Sequence, residues 1–152
     1  MDAKIINHFL SEGMHAFESM FNIRPEPKEP HLLDINAGHP WEISGLLGIT
    51  GDFKGVVAFR LHKTLASKML ALSGIECTPA EYEDTAIGLV SEFTNIIAGH
   101  AVTAIKEYSI DISPPFCVMG HNHSIAWPKS YPVIVIPFVT TYGPFEVDIC
   151  LK

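Results

Sequence analysis

The 152-residue sequence has no cluster of lysine or arginine, and its ten basic residues are outnumbered by seventeen acidic ones, for a formal charge of -7. A partner held through its phosphate backbone needs a basic surface, so no nucleic-acid partner is expected. Long apolar runs are missing too: none approaches the ~18 residues that span a bilayer. The chain does not open on the basic, apolar, small-residue succession of a secretory leader. No membrane association is expected, and a cytoplasmic protein is. Cysteine is scarce and scattered. Cys77, Cys117 and Cys150 are odd in number and lack CxxC spacing, so they are expected as reduced core residues, not a zinc or redox site.

Catalytic signatures are equally thin. Ser91 and Ser113 lack the G-x-S-x-G turn and a base within sequence reach, which argues against acyl transfer. "GDFKG" has neither the spacing of a phosphate-binding loop nor a following helix, and is a hairpin turn. Nothing beside Cys117 would lower its thiol pKa. His121 and His123 in "GHNHS" share one face if the segment is a strand, as a zinc pair would. No neighbouring Cys or carboxylate completes a ligand set, so a solvated turn or strand end is the simpler reading and a metal-binding protein a minor one.

What remains is an ordinary globular composition, 47% hydrophobic and 18% charged, long enough for one domain spanning 1–152 with a hydrophobic core. Ile6, Phe9, Leu10, Phe17, Met20 and Phe21 recur with helical period and predict a helix over Ala3–Asn22. "RPEPKEP" then reads as an extended connection or a sheet edge, where proline's missing N–H does no harm. Trp41–His62 predicts a β-hairpin. Leu65, Met69 and Leu72 predict a short helix stopping at Gly74. "TPAE" offers Thr78 as N-cap, Pro79 at the first helical position and Glu81 closing a capping box. From there an inward stripe of Ile87, Val90, Ile97, Ala101, Ile105 and Tyr108 predicts one long helix to Tyr108. "IDISPPFCVMG", "SIAW" and "YPVIVIPFVTTYGPFEVDICLK" are strand-like, the last holding two strands around "TYGP". The order α, βββ, αα, ββββ predicts an α+β fold, a largely antiparallel β-sheet with long helices packed on it.

The long helix carries groups that its packing does not require. At ~100° per residue, Glu92 lies roughly 175° and Asn95 roughly 125° from the centre of the inward stripe. Their spacing makes them neighbours that one partner group could meet together. Gly88 precedes Glu92 by one turn and Gly99 follows Asn95 by one turn, although helical glycine costs about 1 kcal/mol relative to alanine. The four residues describe a bare polar track. Ile96, also outside the stripe, suits a docking surface as an exposed apolar residue, and His100 is placed to touch a docked partner. A solvated helix face with chance glycines accounts for the same pattern.

The segments "IINHF", "SGLLGITGDFKGVVAF", "EFTNIIAGHA", "IDISPPFCVMG" and "PVIVIPFVTTYGPFEV" together resemble the CheX family of chemotaxis phosphatases, relatives of CheC and FliY, over nearly the whole chain. The resemblance implies a CheC-like fold and removal of the phosphoryl group from the aspartate of a CheY-type response regulator. It implies an active motif of Glu92 and Asn95 followed by a proline, with Pro115 as its counterpart and Pro114 as the alternative. Asn95 would orient the attacking water, and Glu92 would contact the receiver's lysine. Gly88, Ile96, Gly99 and Pro115 would border the partner. The receiver would bring Mg2+, and this chain would bind no cofactor of its own. Gly88 departs from the family pattern, which has Asp or Ser there; this leaves a non-catalytic adaptor or sink for a phosphorylated receiver as the alternative. The resemblance also implies a homodimer.

Overall fold

The computed structural model describes residues 2–34, 36 and 40–152. The first helical period forms α1 (Ala3–Phe21), opened by the Asp2 carboxylate accepting from the Lys4 amide. Asn22 closes it in a left-handed conformation (φ 54°), its amide donating to the Glu18 carbonyl. Asparagine tolerates that conformation better than most residues. The proline-rich segment becomes two short strands, β1 (Glu26–Pro27) and β2 (His31–Leu32), both on the outer side of a late strand. The hairpin is β3 (Ile43–Gly51) and β4 (Gly55–Leu61), with Gly51 at φ 104° in its turn. Then come α2 (Lys63–Leu72), α3 (Tyr82–Ala104), β5 (Ile110–Ile112), β6 (Phe116–Met119), β7 (Val133–Thr140) and β8 (Gly143–Leu151).

The strands make one antiparallel sheet in the order β1-β7-β8-β4-β3-β5, with β2 also on β7 and β6 also on β3. The architecture is α+β. One face of the sheet, carrying Leu47, Val57, Phe59, Phe145, Val147 and Ile149, meets α1 and α3 in a continuous core. Phe17 of α1 stacks on Phe145 at 4.8 Å between ring centres and meets Phe93 of α3 edge-on at 5.6 Å. Such paired rings add stabilisation beyond their buried area.

The predicted elements shift in three places. "SIAW" is not a strand: residues 124–127 form irregular chain between β6 and β7. The Thr78–Glu81 box does form, with the Glu81 amide donating to Thr78 Oγ1 and the Thr78 hydroxyl donating to Glu81 Oε1. It closes a preceding turn, and the regular helix starts at Tyr82. At the other end α3 stops at Ala104, not Tyr108. Ile105 turns extended (ψ 96°) yet stays buried, so its apolar side chain imitates one more helical turn. Asp52 draws the chain away: its carboxylate accepts from the Ser109 amide, and its own amide donates to the Ser109 carbonyl. Tyr108 is left exposed, edge-on to Phe53 at 4.7 Å.

The second face of the sheet buries polar groups. Arg60 Nη1 lies 3.6 Å from Asp148 Oδ2, and its Nε–H donates to Ser44 Oγ at 3.1 Å. Trp41 Nε1–H donates to Glu146. Paired strand positions bring these side chains together, since Ser44 is opposite Arg60 and Arg60 is opposite Glu146. Burial is the main cause that lifts the Asp148 pKa, to about 8; the neighbouring Glu146 carboxylate adds to it, and Arg60 opposes it.

Candidate docking surface on the long helix

α3 turns Ala86, Leu89, Val90, Phe93, Thr94, Ile97, Ala98 and Ala101 into the protein. The inward stripe is therefore broader than predicted, and it runs through Phe93 instead of Ile87, which is only half-buried. The outward side keeps the expected composition. Gly88, Glu92, Asn95 and Gly99 recur at spacings of four, three and four, so they form one stripe within ~60° of arc, opposite the buried one. Gly88 and Glu92 are exposed, and Asn95 and Gly99 half-buried. Among the described residues neither the Glu92 nor the Asn95 side chain has a hydrogen-bond or ion-pair partner. Both are free to bond with something else.

One close approach and one ordinary contact fix where this stripe sits over the sheet. Gly45 of β3 lacks the side chain that would collide with Thr94 and Val90, so the helix lies directly on the strand. The Thr94 hydroxyl, buried there, donates back to the Val90 carbonyl at 2.7 Å. Gly45 pairs with Cys117 of β6. One turn and more along α3, Gly99 has Ile112 of β5 as its nearest neighbour, 3.8 Å from where a Cβ would stand. Asn95 lies between these anchors along α3, and residues 113–115, the link from β5 to β6, lie between the strand positions the anchors mark. Pro115 is half-buried in that link and Pro114 exposed. The signal for this seat is present in "SGLLG", since a glycine inside a strand marks a close backbone approach.

The other candidates fall elsewhere. Ile96 is not exposed: it is half-buried and packs against the core on the flank nearest α1. His100 on the same flank is 3.7 Å from Glu12 of α1. At Gly88, by contrast, an added Cβ would meet nothing within 4 Å. A cleft of about 210 Å³ lined by Lys63, Tyr82, Ala86 and Met119 lies toward the start of α3 and includes neither Glu92 nor Asn95. The free carboxylate and amide thus stand on an open surface, the shape a macromolecular partner fits.

His123 is a structural pin. Its Nε2 is 2.8 Å from Ser44 Oγ and its Nδ1 2.7 Å from the Gly120 carbonyl, which can only accept. The Nδ1 nitrogen therefore carries the proton. His121 sits in the adjoining turn, exposed, 3.6 Å from Glu42. Among the described residues no group of three or more His, Cys, Asp or Glu could hold a metal ion. Burial pushes the Cys117 thiol up to about 11, away from nucleophilic reactivity. No helix among the described residues is long and apolar enough to cross a membrane.

A family model described as "Chemotaxis phosphatase CheX" matches residues 43–139, well over half the chain and all of the surface just described. The chain belongs to the CheX family of chemotaxis phosphatases. Solved structures agree in fold. A CheC-like superfamily protein from Shewanella sp. PV-4 is 30% identical with a TM-score of 0.88, over 100% of this chain and 99% of that one. A CheX chemotaxis protein from Desulfovibrio desulfuricans is 28% identical with a TM-score of 0.86, over 97% and 99%. A chain of the CheX–CheY–BeF3–Mg2+ complex from Borrelia burgdorferi is 24% identical with a TM-score of 0.78, over 97% of each. No curated protein matches the sequence significantly.

Proposed function

We propose that this CheX-family protein hydrolyses the aspartyl phosphate of a CheY-type receiver domain in the cytoplasm, acting as one domain over 1–152 through the outward stripe of α3. The observation that carries the reading is the pair Glu92 and Asn95, one turn apart, unpartnered, and set on an open face. The Borrelia complex supports it, since a related CheX engages a CheY together with BeF3 and Mg2+.

The reaction transfers a phosphoryl group from a carboxylate to water, yielding aspartate and inorganic phosphate. Such transfers depend on an in-line nucleophile and charge neutralisation more than on covalent help. The receiver supplies the cation and a lysine. Asn95 cannot act as a base, because an amide does not titrate near neutrality. Its oxygen can accept from a water and its NH₂ can donate to a phosphoryl oxygen, so it holds the water in line. Glu92 pairs with the receiver's lysine and fixes the docked geometry. Pro115, half-buried in the link from β5 to β6, borders the docked partner together with Gly88 and Gly99.

The test is single-turnover dephosphorylation of a Mg2+-loaded, phosphorylated receiver. Asn95→Ala should lower the rate ~10²-fold while receiver affinity stays near wild type, the cost expected for a positioned transition-state donor. Glu92→Lys should instead weaken binding. An unchanged rate in Asn95→Ala overturns the mechanism. Tight receiver binding with no acceleration by wild type would make the protein an adaptor or sink.

A further inference from the structure

The link between β5 and β6 contains an irregularity that the catalytic reading does not use. Ile112 pairs with Ile49 and Phe116 with Leu46. Between these pairs β3 has two residues, Leu47 and Gly48, while the facing chain has three, Ser113, Pro114 and Pro115. One residue too many on one strand is a β-bulge, a device that bends the strand and re-aims its side chains. Two consecutive prolines offer no N–H to hold this bulge on β3.

Ser113 supplies the missing attachment. Its amide donates to the Gly48 carbonyl at 2.9 Å. In a regular hydrogen-bonded antiparallel pair the Gly48 amide would return a bond to the Ser113 carbonyl. Here it donates to the Ser113 side-chain oxygen at 2.7 Å. The hydroxyl thus takes the place of a ladder carbonyl and frees the backbone to turn into Pro114. Gly48 leaves the room: an added Cβ would stand 3.1 Å from Ser113 Oγ, so the hydroxyl would have to shift from its place on the Gly48 amide.

We propose that Ser113 is a positioning residue for the hydrolysis, locking the Pro114–Pro115 bulge so that its proline edge and the Asn95 amide meet the receiver's phosphoryl site together. The assignment rests on the phosphatase reading above. It excludes Ser113 from nucleophilic chemistry, because its oxygen is already committed to a backbone amide. It also makes Gly48 and Ser113 one unit: disturbing either should loosen the same bulge.

Four variants test it against a phosphorylated, Mg2+-loaded receiver, with kcat, receiver affinity and melting temperature measured for each. Ser113→Ala should lower kcat about tenfold with affinity within twofold of wild type, and Ser113→Thr, which keeps the hydroxyl, should recover most of the rate. Gly48→Ala should lower kcat similarly, and the double variant Gly48→Ala/Ser113→Ala should be no slower than the worse single one, because both changes break one contact. Wild-type kcat in Ser113→Ala, a Ser113→Thr as slow as Ser113→Ala, or additive losses in the double variant would each overturn the assignment while leaving the phosphatase reading in place. A wild-type protein that accelerates no hydrolysis overturns both.

Discussion

Asp148 shows how one residue's surroundings become a measurable property of the protein. Its carboxyl is fully buried between Arg60 and Glu146, and its pKa stands at about 8, whereas an unfolded aspartate titrates near ~4. Between these values the folded protein keeps a proton that the unfolded chain has released. Stability from this group is therefore complete below the unfolded pKa and declines as pH rises through the window to about 8. Asp148→Asn removes the titration while preserving shape. Urea midpoints should show wild type losing stability relative to Asp148→Asn from pH 5 to pH 8, and a constant difference across that range would contradict the account. Nothing in the sequence reading identified this site. Arg60, Glu146 and Asp148 look like solvent-facing positions of alternating strands, and only the pairing of β4 with β8 reveals that they meet.

At the scale of elements, α3 was the most legible and also the most instructive in its errors. Its outward stripe was readable because glycine and polar residues at helical spacing have no packing reason. Its inward stripe was misphased, because Ala86, Leu89 and Phe93 were passed over in favour of Ile87 and Tyr108. Its length was overread because a buried Ile105 continues the apolar pattern past the last hydrogen-bonded turn. The exposure of Ile96 was overestimated for a related reason: one helix's periodicity does not say where α1 will lie against its flank. Gly88 is where this element yields a prediction. A side chain there meets open space, so Gly88→Ala should stabilise the protein by roughly 0.5–1 kcal/mol through the helix itself. If the bare backbone is the bed for the receiver, the same change should weaken receiver binding. A higher melting temperature with lower receiver affinity is the expected pair of results in thermal unfolding and titration; affinity equal to wild type would show that the partner does not approach this turn.

The whole molecule joins two halves that the sequence presents separately. The antiparallel sheet and its α+β class were legible from alternation and turn residues, whereas its strand order was not, since β3 must recruit β5 and β6 from across α2 and α3. Of the two apolar terminal strands, β8 is interior to the sheet, β7 carries β1 and β2 on its far side, and their apolar side chains are largely spent on the core. Phe93 is the point where the halves meet: it is fully buried, and its ring lies 5.6 Å from Phe17, 5.5 Å from Phe21 and 5.0 Å from Phe59. Phe93→Ala should cost about 3–5 kcal/mol, as for other large aromatic truncations in cores. Because α1, α3 and the sheet share that ring, the loss should move one cooperative transition to lower denaturant, with circular dichroism and tryptophan fluorescence shifting together. Asn95→Ala, on the outer side of the same helix, should leave that transition in place and lose activity alone. Two separate transitions in Phe93→Ala would mean that the chain over 1–152 is not one folding unit.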